Sequence, residues 1–458
     1  MPPQVKIGLE IHGYLDTNEK LFCSCKSIHG AKLTKPNTNI CPICTAQPGC
    51  KPQLPNSSAL NKIIQIALIL NCKINNNLIF QRKHYSWPDL PKGYQNTISG
   101  TYAIPVGTKG NFEDIKITEV HIEEDPAAWN PETGEIDYNR SGSPLVEIVT
   151  EPNFKNSEQV TQWLKQLLHT LSYVKAIDKT SGIKADVNVS INNGKRVELK
   201  NINSIENIKN AIEIEIQRQS SLPKGVQEQE TRTFNSEKQT TILMRTKEQA
   251  ADYRFISDPD LPIIKLKPAR VNKLKSSLPE SPKEKLNKLI KKHKLDKKSA
   301  EVLTKNIDIV EFFEKVVEKI NPQTAVPWIT IELLSVLNYN KKSLEDSGIE
   351  INVEHFIELL QLIEKKVITE LKAKDILRSW IPKSSSPKSA AKSSGKIDDE
   401  KQINLWCKQA IKNNSKAAAD FKSGNANALN FLIGDVMKLS NKRADYVKTR
   451  LILEGMLK

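Results

Sequence analysis

The chain has 458 residues, 38% of them apolar, with a formal net charge of +15 and an isoelectric point near 9.2. That length exceeds one compact core and calls for two or three domains, while the charge favours a polyanionic partner such as RNA, with a Lys- and Asn-rich composition as the plainer source of the same surplus. No apolar run reaches the roughly 20 residues that span a bilayer, and Met1-Pro2-Pro3-Gln4 opens neither a secretory nor a transit segment, so a soluble cytoplasmic protein is expected.

From Val5 to Pro262 the sequence runs in short alternating segments and turn clusters, the pattern of a large β-rich α+β domain. In Ile7 to His12, Ile7, Leu9 and Ile11 share one face and leave Glu10 and His12 on the other. Cys23, Cys25, Cys41 and Cys44 follow as two close pairs split by a short loop. Thiolates at that spacing can close a tetrahedral sulfur site around a structural zinc; two independent reduced pairs in a core are the alternative. Cys50, Cys72 and Cys407 lack paired spacing and read as packed thiols. A helix is expected over Ser57 to Leu70. The motif Arg82-Lys83-His84-Tyr85 with Pro88 to Gln95, and the motif Asn139-Arg140-Ser141-Gly142-Ser143-Pro144, combine turn-fixing Gly and Pro with cationic donors. Each is a surface turn or part of an anion-binding loop.

In Val120 to Glu123, Val120 and Ile122 point inward and His121 and Glu123 away, with Glu124 and Asp125 at the strand end. Ser157 to Tyr173 places Val160, Leu164, Leu167, Leu168 and Leu171 on one helical face, and another helix is expected from about Ile205 to Gln219. Ala185 to Ile191 sets Asp186, Asn188 and Ser190 opposite its apolar residues, and Arg196 to Lys200 does the same with Glu198 and Lys200. After Pro262 the character changes. Lys265 to Lys298 is crowded with lysines and Ala300 to Lys374 has helical apolar spacing. Pro382 to Gly395 has no apolar residue larger than Ala and reads as a flexible linker before a small helical module, Ile397 to Lys458. The expected domains are therefore residues 1–264, carrying the four cysteines, then 265–381, a linker over 382–396, and 397–458.

Four strands thus offer acidic or nitrogen ligands on the face away from the core. A solvated face is the plain reading. Crowded carboxylates such as Glu123, Glu124 and Asp125, however, repel one another unless a cation sits between them, and oxygen-rich sets suit Mg²⁺, which commonly arrives with a nucleotide phosphate. The chain has neither Gly-x-x-x-x-Gly-Lys-Ser/Thr nor Gly-x-Gly-x-x-Gly, which excludes P-loop and Rossmann nucleotide sites. It offers no Ser/His/Asp or Cys/His nucleophile set.

At these motifs the chain resembles the GatB family, the B subunits of glutamine-dependent amidotransferases that act on Asp-tRNA(Asn) or Glu-tRNA(Gln). The matching residues include Gly8-Leu9-Glu10-Ile11-His12, the two cysteine pairs, Arg82 to Gln95, His121 to Asp125, Asp137 to Gly142, Glu147 to Pro152 and Asp186 to Ser190. They continue through Glu198 to Asn201, Gln229 to Arg232, Asp252-Tyr253-Arg254 and, near the end, Phe431 to Lys438. Phe255-Ile256-Ser257 departs from the aromatic and proline pattern common in the family.

The resemblance implies a β-rich, kinase-like cradle domain, an all-α connector and a small α-helical tail that grips tRNA. It implies that ATP and Mg²⁺ serve to phosphorylate the side-chain carboxylate of the mischarged aminoacyl end, and that ammonia then displaces phosphate. The ammonia would come from an amidase-type A subunit, with a small C subunit completing a heterotrimer. By motif, Glu10, His12, Glu124 and Glu147 would be magnesium ligands or close neighbours, and Glu123 a further catalytic carboxylate. Arg82, Lys83, Arg140 and Lys200 would be phosphate donors. A non-catalytic tRNA-binding subunit and an archaeal E-type subunit are the alternatives; the chain has no room for the large inserted domain of the E type.

Overall fold

The computed structural model describes residues 3–28, 35–223, 228–246, 253–392, 397 and 399–457. The chain divides into two compact units, Met1–Ser281 and Pro282–Lys458. It is mixed α+β, with a large mixed sheet in the N-terminal unit and a helical C-terminal one.

The strands of the first unit are β1 (Val5–Tyr14), β2 (Lys73–Ile74), β3 (Asn77–Leu78), β4 (Gln81–His84), β5 (Tyr94–Thr97), β6 (Gly107–Phe112), β7 (Ile115–Glu124) and β8 (Ala128–Trp129). They continue with β9 (Ile136–Asp137), β10 (Pro144–Thr150), β11 (Ile183–Ile191), β12 (Val197–Asn203), β13 (Glu230–Asn235), β14 (Thr240–Thr246), β15 (Ile256–Ser257) and β16 (Ile264–Lys265). A 12-stranded sheet has the order β14-β13-β12-β11-β1-β10-β7-β5-β4-β15, with β6 joining β7 to β2. Only the β12–β13 pair within that order is parallel; its other pairs are antiparallel.

Helices α1 (Ser57–Ile69), α2 (Ser157–Tyr173) and α3 (Ile205–Ser221) lie where apolar spacing predicts them. Short polar residues start each of them. The Asn56 carboxamide accepts from the amides of Ser58 and Ala59, Asn156 from that of Gln159, and Ser204 from that of Asn207. The alternation of β1 sends Ile7, Leu9 and Ile11 into one core with Val187 and Val189 of β11, Val160 and Leu164 of α2, and Ile208 of α3. Burying each such side chain contributes roughly 1.5–3 kcal/mol, which fixes the face of β1 that is left for polar residues.

The unit extends past residue 264, where composition suggests a break, because a fourth helix, α4 (Pro268–Ser276), belongs to it. Val271 and Leu274 pack on the same core, and the Arg270 guanidinium donates from Nε to Asn61 Oδ1 of α1 at 2.9 Å.

The second unit is built of helices, from Pro282–His293 through Glu370–Arg378 to four at its end, Glu400–Asn413, Ser415–Lys422, Asn427–Leu439 and Tyr446–Leu457. The last four enclose a core of Ile403, Cys407, Leu432, Val436 and Leu453. In the lysine-rich stretch, Lys285 is not solvated but buried, its ammonium 2.5 Å from Glu314. The linker expected over 382–396 is ordered in its first part. Residues Pro387–Lys392 are helical, and Ser384 is buried with its hydroxyl accepting from the Asn352 amide at 2.8 Å. Serines can be fixed by hydrogen bonds where they have nothing apolar to bury; residues 393–396 lie outside the described residues. No helix among the described residues is long and apolar enough to cross a membrane.

Candidate active site and metal centre

Residues directly opposite one another across antiparallel strands share a face, and register therefore decides which polar groups meet. Glu10 stands opposite Asp186, and His12 opposite Glu147. Glu147 in turn faces His121, and Asn188 faces Glu198. Strands β12, β11, β1, β10 and β7 thus carry one row of ionisable groups on the face away from the Ile7, Leu9 and Ile11 core. The row contains two clusters whose ligand atoms all lie within 4.8 Å of one another: His12, Glu123 and Glu147, and Glu10, Asp186 and Glu198.

In the first cluster His12 Nε2 is 3.1 Å from Glu147 Oε2 and 4.0 Å from Glu123 Oε1. The same Glu147 oxygen lies 3.0 Å from Nε2 of His121, whose Nδ1 is 3.2 Å from Glu119. Burial opposes charge on both imidazoles, but the facing carboxylates, Glu147 foremost, outweigh it. His12 is pushed up to about 9 and His121 to about 10. Glu147 moves the other way, since the two imidazoles overcome its burial and hold it well below the usual carboxylate range. Glu123, more deeply buried and beside Glu147, is raised.

The second cluster is balanced by a lysine. Lys200 Nζ lies 2.5 Å from Asp186 and 2.8 Å from Glu198, and the Asn201 amide donates to Asp186 at 2.7 Å. Glu10 accepts from Asn188 Nδ2 at 3.1 Å, and burial raises its carboxyl more than Lys200 lowers it.

The other expected site residues are distributed differently. Glu124 is one residue beyond Glu123 on β7 and so points to the opposite face. Its carboxylate accepts from the Asn96 amide at 2.8 Å and pairs with Lys92, which corrects its grouping with Glu10, His12 and Glu147. It lines a cavity of about 310 Å³ with Lys20, Cys23, Cys44, Lys92 and Asp125. Lys83, opposite Gln95 on β5, shares the face of Glu123 through Thr97 and contributes charge to that carboxyl. Arg82 and Arg140 are committed elsewhere. Arg82 bonds Asp258 at 3.0 Å and Asp260 at 2.8 Å while stacking on Tyr94, and Arg140 donates to the carbonyls of Pro126 and Ala127 at 3.1 and 3.0 Å. The departing segment Ile256-Ser257 forms β15 and pairs with Arg82 and Gln81; Asp252 of the neighbouring motif lies outside the described residues.

The sulfurs of Cys23, Cys25, Cys41 and Cys44 also lie within 4.8 Å of one another. A tetrahedral zinc with bonds of about 2.3 Å needs sulfurs about 3.8 Å apart, so the donor set fits. Of the remaining thiols, Cys72 and Cys407 are buried as expected whereas Cys50 is exposed. Two participants escape motif reading, Glu119 and Lys20. The alternation of Ile117, Glu119, His121 and Glu123 carries a signal for the first; only the fold reveals the second.

Residues 5–272 match the model of the GatB/GatE catalytic domain, and residues 311–457 match that of the GatB domain. The chain belongs to the GatB family. The B subunit of the aspartyl/glutamyl-tRNA(Asn/Gln) amidotransferase of Methanothermobacter thermautotrophicus is 43% identical over 97% of this chain and 98% of its own length. The B subunits of the same description from Methanobrevibacter smithii and Methanocaldococcus jannaschii are each 41% identical, over 98% and 96% of this chain and 98% and 95% of their own. This GatB chain is thus the B subunit of a tRNA-dependent amidotransferase, one component of a ligase.

Proposed function

We propose that this GatB chain activates the side-chain carboxylate of aspartyl-tRNA(Asn) or glutamyl-tRNA(Gln) with ATP and converts it to the amide. The observation that carries this reading is the row of two carboxylate clusters in register on adjoining strands, one set with imidazoles and one with lysine. His12, Glu123 and Glu147 would hold a divalent cation, Mg²⁺ with ATP, whose chemistry is to neutralise phosphoryl oxygens. The carboxylates that now favour a proton on His12 would equally favour such an ion in its place.

Lys200, held between Asp186 and Glu198, and Lys83 near Glu123 supply the positive charge that a phosphoryl group in flight requires, since this chemistry is mostly placement and charge stabilisation. The substrate carboxylate needs no base to attack the γ-phosphoryl group, ADP departing. When ammonia displaces phosphate from the acyl carbon, a proton must leave nitrogen, and Glu10, its carboxyl raised by burial, suits that acceptance. No glutaminase nucleophile is evident in the sequence, which agrees with an amidase-type A subunit supplying ammonia and a small C subunit joining the two. The four cysteines would hold a structural zinc, the sheet unit would be the kinase-like cradle, and the last helices would contact tRNA, in the cytoplasm.

The test is amide formation on both aminoacyl-tRNAs with ammonium replacing glutamine, for wild type and His12→Ala, each assembled with its A and C partners. Loss in the variant alone, with tRNA binding retained, supports the proposal. A wild-type complex that binds tRNA but amidates neither substrate would make this a non-catalytic binding protein.

A further inference from the structure

Lys20 is 1% exposed, and although it lines the same cavity as Glu124 and Asp125, its ammonium forms no ion pair with either. Its ammonium points at two carbonyls and a sulfur: Asn39 O at 3.2 Å, Tyr138 O at 3.3 Å and Cys44 Sγ at 3.4 Å. A lysine this far from water is costly unless an anion stands beside it. Two carbonyl dipoles do not supply a full charge. Neutral thiols would not either, whereas four thiolates around a divalent cation carry a net charge of two minus.

Within the sulfur cluster, Cys44 is the thiol placed to hold negative charge at this point. Cys44 Sγ accepts from the Cys41 backbone amide at 3.2 Å, and the Ser141 hydroxyl bonds the Cys44 carbonyl at 3.1 Å. The neighbouring chain is tied to the same turn: the Asn39 amide donates to Asn139 at 2.8 Å, and the Leu21 amide to Gly142 O at 2.8 Å. Lys20 thus bridges the cysteine loop, through Asn39 and Cys44, to the turn at Tyr138.

We propose that Lys20 is the built-in counter-cation of the four-cysteine site, a positioning residue that offsets the charge of a zinc tetrathiolate. This rests on the reading of the cysteines as one zinc site and extends it. Lys20 and the thiolates stabilise each other: bound metal keeps the sulfurs anionic and gives the ammonium its partner, while the ammonium lowers the cost of burying a dianionic centre. A lysine that only braced carbonyls would contribute equally with and without metal.

The experiment uses the full chain as wild type, Lys20→Gln, Lys20→Met and Lys20→Arg. Melting temperatures are compared zinc-loaded and zinc-stripped, and zinc transfer to a chromophoric chelator is timed. Both neutral variants should melt lower than wild type when loaded but no lower when stripped, and should release zinc about tenfold faster or more, as loss of an outer partner of a metal ligand does. Lys20→Arg should restore slow release. Equal destabilisation with and without zinc, or wild-type release rates in both neutral variants, would overturn the proposal. Cobalt titration of the wild type separates the two readings. A thiolate-to-cobalt band with unaltered release in the variants would remove only the role of Lys20. Absence of the band would remove the four-sulfur site and this role with it.

Discussion

The two carboxylate clusters on the sheet are neighbours in register but differ in what balances them. Glu123 and Glu147 are balanced by His12 and His121, groups that can give up a proton. Asp186 and Glu198 are balanced by the fixed ammonium of Lys200. A proton is exchangeable for a metal ion at little structural cost; a covalently tethered ammonium is not. Three acidic or imidazole ligands at short range are therefore insufficient to mark a cation site, and the counter-charge decides.

The imidazole-balanced cluster depends most on Glu147, whose carboxylate serves both imidazoles. Glu147→Gln should lower cation-dependent amide formation by more than about 100-fold, measured across a magnesium titration; retained activity at ordinary magnesium would move the cation elsewhere. The second cluster is tested by Lys200→Met, which leaves Asp186 and Glu198 facing each other. We expect a loss of about 3 kcal/mol in urea unfolding when chelator is present, partly regained with millimolar Mg²⁺ as the freed carboxylates take up an ion. A loss indifferent to magnesium would show that the lysine alone does not distinguish the clusters. The smallest effect belongs to Arg82→Lys. Removing the planar fork between Asp258 and Asp260 should cost about 1 kcal/mol with turnover per folded molecule unchanged; a raised KM for ATP would return Arg82 to the phosphate site.

Much of this was legible in the chain. Alternation alone puts Glu10, His12, Glu123, Asp186, Glu198 and Lys200 off the core side, because three buried aliphatic residues in β1 leave no freedom over which face is polar. The pairing of distant strands was not legible. Nothing local in Pro144–Thr150 says that β10 lies between β1 and β7 and sets Glu147 between His12 and His121. The same blindness applies to Arg82, whose partners lie 176 and 178 residues away. Glu124 is a different case: the family motif groups it with Glu10, His12 and Glu147, but a strand turns adjacent side chains to opposite sides, and its carboxylate meets Asn96 and Lys92 instead.

The place of β1 also sets a timetable for biosynthesis. Strand β1 is made before both of its neighbours in the finished sheet, β10 and β11, so its ladder waits for residues 144–150 and 183–191. Its apolar face must stay soluble through that interval, and the first carboxylate cluster cannot close until Glu147 has been made, about halfway through the sheet unit, nor the second until Glu198 has been made. Such late, long-range pairing is slow and prone to misassociation. Nascent chains truncated before β10 should accordingly engage chaperones and carry no cation site, because Glu147 is still missing.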